Sequence, residues 1–331
     1  MLKILHIGKP GNVARFAGGL RLPEHTLAEC RSGSATADYL AAGGDADVLL
    51  ADAMTPITAE LIDAMPNLKL IHSEGVGYNC IDVGAASRRH IWVCNCRGCN
   101  AVAVAEQTLL LMLGVLRDVC GCDRAVREGR QIVVKEDYMV TGTLSELADH
   151  RVGLIGFGEI AKATARLLAP FGADVYYTKP CRADSATEQA LGVTYLPLDE
   201  LLATCSIVSL HLPVTDETRG MANDAFFAKM RDGSYFINTA RGELADSGAI
   251  LRALSSGKLR MAGLDTIAGE PIRKDNPILQ GDADVSARLL LSPHIGGVTN
   301  ASLHRAHRIF WRAVEALSAG DAPENIVNSW D

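Results

Sequence analysis

Two kinds of hydrophobic pattern alternate along the chain. Short, nearly continuous apolar runs occur at 3–7 (KILHI), 47–51 (DVLLA), 68–72 (LKLIH) and 91–95 (IWVCN). Runs of this length predict strands buried on both faces, which need no polar alternation. Between them, apolar residues recur at helical spacing. TAELIDAM (58–65) puts Leu61, Ile62 and Met65 on one face, and Pro66 stops it. A long apolar helix is predicted from an Asn100 N-cap to about Leu116. A second series starts at 151–178 and continues at 206–212, 234–239, 261–265 and 288–293, with a final amphipathic helix over about 299–319. Such alternation predicts α/β units around parallel sheets. The stretch 117–150 is polar and reads as an irregular surface excursion between domains, of a kind that is usually functional or used in association.

Composition narrows the picture. The 331 residues suffice for two domains of ordinary size. A net charge of −7 without a long basic run argues against nucleic acid and anionic membrane as partners. Arg88–Arg89 and HRAHR (304–308) are short enough to be solvated helix faces or ends. The most membrane-like stretch, 101–116, is too short to span and contains Glu106 and Gln107. No signal peptide is evident, and the odd count of nine cysteines predicts reduced thiols in a cytoplasm. CNCRGC (Cys94, Cys96, Cys99) suggests a metal, but the only candidate second pair, CGC at 120–122, lies beyond a predicted helix and has the wrong spacing. No metal is expected.

Chemistry enters at Gly156, Gly158 and Ala161, a G-x-G-x-x-A that follows the apolar strand VGLI and opens an apolar helix. In that setting the first glycine permits a tight turn, and the second lets backbone approach a diphosphate at the helix N-terminus. An ordinary strand-to-helix turn is the bland alternative; the flanking pattern favours dinucleotide binding. Downstream, Arg241 follows YFINTA, Glu270 follows AGLDTIAG, and His294 follows LLLSP. Loops at the C-terminal ends of parallel strands converge on the ligand crevice, so these three and Asp265 are expected to meet. The set suits interconversion of a 2-hydroxy acid and its keto acid. Arg241 can hold a carboxylate or carbonyl oxygen, His294 can move the proton, and Glu270 can fix the imidazole tautomer. Singly each reads as a turn Arg, a capping Glu or a structural His; jointly they read as catalytic.

At this point the chain resembles the D-isomer-specific 2-hydroxyacid dehydrogenases, over nearly its whole length. The resemblance rests on EGVGYNCID (74–82), RGCNAVAVAEQT (97–108), VGLIGFGEIA (152–161), HLPVTDETRG (211–220), INTARGELAD (237–246), GLDTIAGEP (263–271) and SPHIGG (292–297). It implies two Rossmann-like or flavodoxin-like parallel-sheet domains with the active site in the cleft between them. One would be a discontinuous substrate domain, 1–100 plus 297–331, and the other a cofactor domain, 101–296, with a dimer arm near 117–150. It implies Arg241, Glu270 and His294 as the catalytic set. Backbone N–H groups of Val76 and Gly77 would bind the substrate carboxylate, Asn100 would lie at the hinge, and Asp265 would orient the nicotinamide. Thr108, Glu159, Ile160, Thr178, His211, Pro213, Thr218, Ala240 and Gly296 match cofactor-contact positions. A homodimer is implied. Ala161 departs from the family's third glycine, and Gln131 stands where the arm often has tryptophan. The chain ends without the extension of the longer phosphoglycerate dehydrogenases, and Glu270 argues against formate dehydrogenase.

The acidic residue that usually holds the adenosine ribose would fall at Lys179, in YYTKPCR. Lys179, with Thr178 and Arg182 nearby, suits the 2′-phosphate of NADP(H), so NADP(H) is expected over NAD(H). The leading expectation is therefore a cytoplasmic enzyme that interconverts a small 2-keto acid and its 2-hydroxy acid. Two other readings remain: a nucleotide-sensing corepressor-like protein, and a dehydrogenase of a non-carboxylate oxyanion such as phosphite.

Overall fold

The computed structural model describes residues 1–330, which fall into two units, 1–100 with 298–330 and 101–297.

The first unit is built on β1 (Leu2–Gly8), β2 (His25–Arg31), β3 (Val48–Ala51), β4 (Leu70–Ser73) and β5 (Trp92–Cys94). They form one sheet in the order β2-β1-β3-β4-β5, every pair parallel. Alternate side chains enter two cores. Leu5, Ile7, Leu49, Ala51, Ile71 and Val93 pack with Leu61, Ile62 and Met65 on one face. Ile4, Val48, Leu50 and Leu70 pack with Phe310, Trp311 and Val314 of the helix Asn300–Ala319 on the other. Both faces are covered, which is why VLLA has no polar position. The TAELIDAM helix runs over Ala59–Asp63, with Thr58 as its N-cap. β2 lacked a sequence signal because HTLAECR, at one edge of the sheet, is only partly buried along its length and carries no apolar run.

The second unit contains β6 (Arg151–Ile155), β7 (Asp174–Thr178), β8 (Val193–Tyr195), β9 (Ile207–Leu210), β10 (Ser234–Asn238), β11 (Leu259–Leu264) and β12 (Leu289–Leu291). Their order is β12-β11-β10-β9-β6-β7-β8, again all parallel. The chain moves outward from β6 through β7 and β8, then returns to β9 on the other side of β6. The switch point is therefore at the C-terminal ends of β6 and β9. The helices Ala101–Leu116 and Glu159–Leu168 share a core with this sheet through Leu111, Met112, Val115, Ala161, Ala165 and Leu168.

The stretch 117–150 corrects an expectation. It is not irregular but forms two helices, Val119–Arg127 and Gln131–Thr141. The helical pattern is obscured because its apolar residues are not buried: Val119, Val126, Ile132, Val133, Met139 and Val140 are all more than half exposed. Cys120 and Cys122 lie beyond the helix Ala101–Leu116, within the first of these two helices. All nine cysteines are unpaired. Among the described residues, no helix is long and apolar enough to cross a membrane.

Candidate active site

The turn after β6 is shaped by two glycines used in different ways. Gly156 has φ +89°, and a Cβ there would lie 2.3 Å from the His211 carbonyl oxygen at the end of β9. Its N–H donates to the Thr178 carbonyl at 2.9 Å, which ties the turn to the end of β7. Gly158 is the N-cap of the helix Glu159–Leu168, and a Cβ there would meet nothing within 4 Å. The turn is thus closed by protein on one side and open on the other. The N–H groups of Glu159 and Ile160 have no acceptor among the described residues. Free first-turn N–H groups beside a glycine with no obstruction fit a diphosphate. Ala161 is fully buried, as close packing of helix on strand requires.

The loops after β10, β11 and β12 lock onto one another. Asn238, 1% exposed, accepts from the Ala240 N–H at 3.0 Å and donates to the Arg241 carbonyl at 2.9 Å. Its own carbonyl accepts the Asp265 N–H at 2.9 Å. The Arg241 guanidinium donates from Nη1 to the Ala240 carbonyl at 2.7 Å, and the rest of its fork has no partner among the described residues. The Asp265 carboxylate is buried and accepts from Ile295 N–H at 3.0 Å, Gly296 N–H at 2.8 Å and the Ser292 hydroxyl. Ser292 accepts in turn from Gln107 at 2.9 Å.

This frame holds His294. Its N–H donates to the Asp265 carbonyl at 2.8 Å, and its backbone sits at φ +56°. A non-glycine residue in that region is strained by about 1–2 kcal/mol and persists only where its surroundings fix it. His294 Nδ1 lies 2.6 Å from Glu270 Oε2, while Glu270 Oε1 accepts the Ile267 N–H at 3.0 Å. Nε2 has no partner among the described residues, and the His294 side chain is 39% exposed. A carboxylate on Nδ1 and a free Nε2 form an acid/base arrangement with its tautomer defined.

The other expected cofactor positions fall into two groups. Glu159, Ile160, Pro213 and Ala240 are partly or fully exposed at the strand ends. Thr108 is fully buried and spends its hydroxyl on the Val104 carbonyl and Thr239. Thr178 is nearly buried at the end of β7. His211 bonds Ser209 at 2.9 Å, and burial of its ring pushes its pKa down to about 3, so it is neutral. Thr218 donates to the Pro213 carbonyl at 2.8 Å and shapes that loop. Lys179 has no acidic partner among the described residues. Arg182 is already engaged: its fork meets both oxygens of Glu188 at 2.8 Å. Glu188 also accepts from the Tyr177 hydroxyl.

In the first unit, the loop after β4 presents the N–H groups of Val76 and Gly77, which have no acceptor among the described residues. Asn100 is the last residue of the segment 1–100. Sequence reasoning missed Asn238, Ser292 and Gln107. Asn238 and Ser292 sit inside the motifs that carry the site, but nothing in their spacing announces a loop staple.

Comparison with known proteins points to one family. A family model described as D-isomer specific 2-hydroxyacid dehydrogenase, NAD binding domain, matches residues 109–296. The chain is 33% identical over 284 residues to a glyoxylate reductase of Korarchaeum cryptofilum, covering 86% of this chain and 83% of that protein. It is 35% identical over 293 residues to a D-3-phosphoglycerate dehydrogenase of Mycobacterium bovis, covering 87% of this chain and 52% of that protein. The solved holo form of Rhodotorula graminis D-mandelate dehydrogenase superposes with a TM-score of 0.84 at 26% identity, covering 99% of this chain and 98% of that one.

Proposed function

The chain belongs to the D-isomer specific 2-hydroxyacid dehydrogenase family, and from that premise we propose that it reduces a small 2-keto acid, with His294 as the proton donor. It is an oxidoreductase of 2-hydroxy acids with a nicotinamide cofactor. The observation that carries the mechanism is the 2.6 Å contact of Glu270 with His294 Nδ1, which leaves Nε2 free. When bound, the nicotinamide supplies the hydride. The N–H groups of Val76 and Gly77 hold the substrate carboxylate. The unengaged part of the Arg241 fork takes a carboxylate or carbonyl oxygen. His294 gives its Nε2 proton to the carbonyl oxygen and recovers it in the reverse direction. Glu270 stays on Nδ1 throughout and supports the imidazolium. Asp265 fixes the His294 loop and retains an acceptor site at Oδ2 for the carboxamide. The unit 1–100 with 298–330 serves as the substrate domain and the unit 101–297 as the cofactor domain, with Asn100 as the hinge.

The reading further assigns NADP(H) over NAD(H). Lys179 stands where a ribose-binding carboxylate is expected and carries an unpaired charge. Arg182 contributes only by leaving Glu188. The unpaired thiols support a reducing, cytoplasmic setting. The exposed apolar side chains of the two helices over 117–150 support a homodimer, since a contiguous apolar patch normally marks an interface.

The test is consumption of NADPH and NADH at 340 nm against 2-keto acids from glyoxylate to phenylpyruvate. Turnover with NADPH above NADH supports both assignments. Turnover with NADH alone keeps the chemistry and removes the role of Lys179. In that assay Lys179→Asp should shift the preference toward NADH by about tenfold or more, since each charge-assisted contact contributes about 1.5–3 kcal/mol.

A further inference from the structure

The first unit contains a buried charged cluster that the proposed chemistry does not use. Glu74, at the end of β4, has a side chain 10% exposed. Its Oε1 lies 3.0 Å from His307 Nε2, on the helix Asn300–Ala319. Its Oε2 lies 3.6 Å from Nε2 of His6, a fully buried residue of β1. His6 Nδ1 reaches Glu29 of β2 at 3.0 Å. Burial pushes the Glu74 carboxyl up, but the hydrogen bond to His307 and the nearby His6 imidazole outweigh it and hold the group at about 2. Burial likewise pushes His6 down, and Glu74 and Glu29 together carry it above the ordinary imidazole value. A buried ion cluster is poor glue, because well-packed apolar residues stabilise as much or more. Its location offers a different use.

Glu74 begins the loop that carries Val76 and Gly77. The Glu74 N–H donates to the Ala51 carbonyl at 2.7 Å. The next three carbonyls are all held. The Gly75 carbonyl accepts from Cys96 N–H at 2.9 Å. The Val76 carbonyl accepts from the Asn95 amide at 2.8 Å, and the Gly77 carbonyl from the Ser73 hydroxyl at 2.6 Å. Ser73 Oγ also accepts the Gly75 N–H at 3.2 Å. With three successive carbonyls engaged, the N–H groups of Val76 and Gly77 are left for an anion.

We propose that Glu74, bonded by His307 and flanked by His6, forms with Ser73 and Asn95 a positioning set that fixes the 75–77 main chain as a carboxylate receptor. This rests on the reading of Val76 and Gly77 as substrate contacts. None of the five residues touches the reacting atoms. They act by settling where the carboxylate sits, so they govern substrate affinity rather than the chemical step. Glu74 is itself an anion, but His307 holds one of its oxygens and the His6 imidazole lies 3.6 Å from the other, so it serves as an anchor and not as a competitor for the site.

The test uses Glu74→Gln, Ser73→Ala and Asn95→Ala in the full chain. Each should raise KM for the best 2-keto acid about tenfold, with kcat within about threefold, because only uniform binding is lost. NADPH affinity should stay within about twofold. A merely structural role would lower the amount of folded enzyme and leave its KM alone. Unchanged KM in the two variants that release a carbonyl overturns the proposal, even if Glu74→Gln does not fold. Amide hydrogen exchange gives an arm independent of turnover. The Gly75 and Cys96 amides should exchange about tenfold faster in Ser73→Ala than in the parent chain, as expected where a local clamp is opened. A parent chain inert toward every keto acid would defeat the dehydrogenase reading, while unchanged exchange would defeat the clamp by itself.

Discussion

A proton-transfer imidazole needs one nitrogen occupied and the other free. His294 meets both needs through Glu270 and through a backbone held at φ +56° by Asp265. His294→Ala should lower kcat by about 10²–10⁴ with cofactor affinity nearly intact. Single-turnover kinetics beside a cofactor fluorescence titration checks this, and a near-parental rate would remove the acid/base role. Asp265→Ala should be the more damaging change to cofactor and substrate alike, since it frees Ile295, Gly296 and Ser292 together. Arg241, Glu270 and His294 were legible in the sequence because each follows a strand in a recognisable motif. Asn238 and Ser292 were not, because a side chain that staples a loop is identified only by what lies opposite it in space. Arg182 shows the reverse case: its charge was legible, but its engagement by Glu188 was not.

Among the elements, the glycine turn carries the sharpest expectation. Gly156→Ala places a Cβ against the His211 carbonyl in a backbone region that favours glycine, which costs on the order of 1–3 kcal/mol. Thermal unfolding should show a lower Tm and cofactor titration a weaker Kd. An unchanged Tm would mean that the turn relaxes freely. The helices over 117–150 carry the assembly prediction. Val133→Glu with Met139→Lys should shift sedimentation from dimer to monomer, whereas an unchanged coefficient would place any interface elsewhere. Strands with two covered faces announced themselves as apolar runs. Strands β2 and β8 did not, because HTLAECR is only partly buried and VTY has a single buried residue, whereas the edge strands β5 and β12 kept apolar runs. The 117–150 helices were hidden for a related reason, since their valines face outward and complete no core within one chain.

At the scale of the whole molecule, stability should depend on pH at both ends. Glu74 lies below the ordinary carboxylate value, so its contribution is complete above that value and is lost as pH falls through about 2. His72, driven down to about 4 by burial, adds a loss that begins as pH drops below the ordinary imidazole value. His6 lies above that value, so its contribution is complete below it and fades as pH rises through its raised value. Plotted against pH, Tm should form a dome. Glu74→Gln should flatten its alkaline flank, because His6 loses the partner that raises it; an unaltered flank would show that Glu29 alone sustains His6.

The helix Asn300–Ala319 comes near the end of the chain but packs on its first sheet. Its Phe310, Trp311 and Val314 complete a core begun by Ile4, Val48 and Leu50. On the ribosome, the first hundred residues emerge without that cover, and the unit 101–297 must be translated before it arrives. At typical elongation rates that interval is about 10–40 s. The later unit, uninterrupted in sequence, can finish first, while the earlier one waits with an apolar sheet face exposed. A nascent chain arrested before residue 298 should therefore recruit chaperones that bind apolar surface, and one released after residue 320 should not.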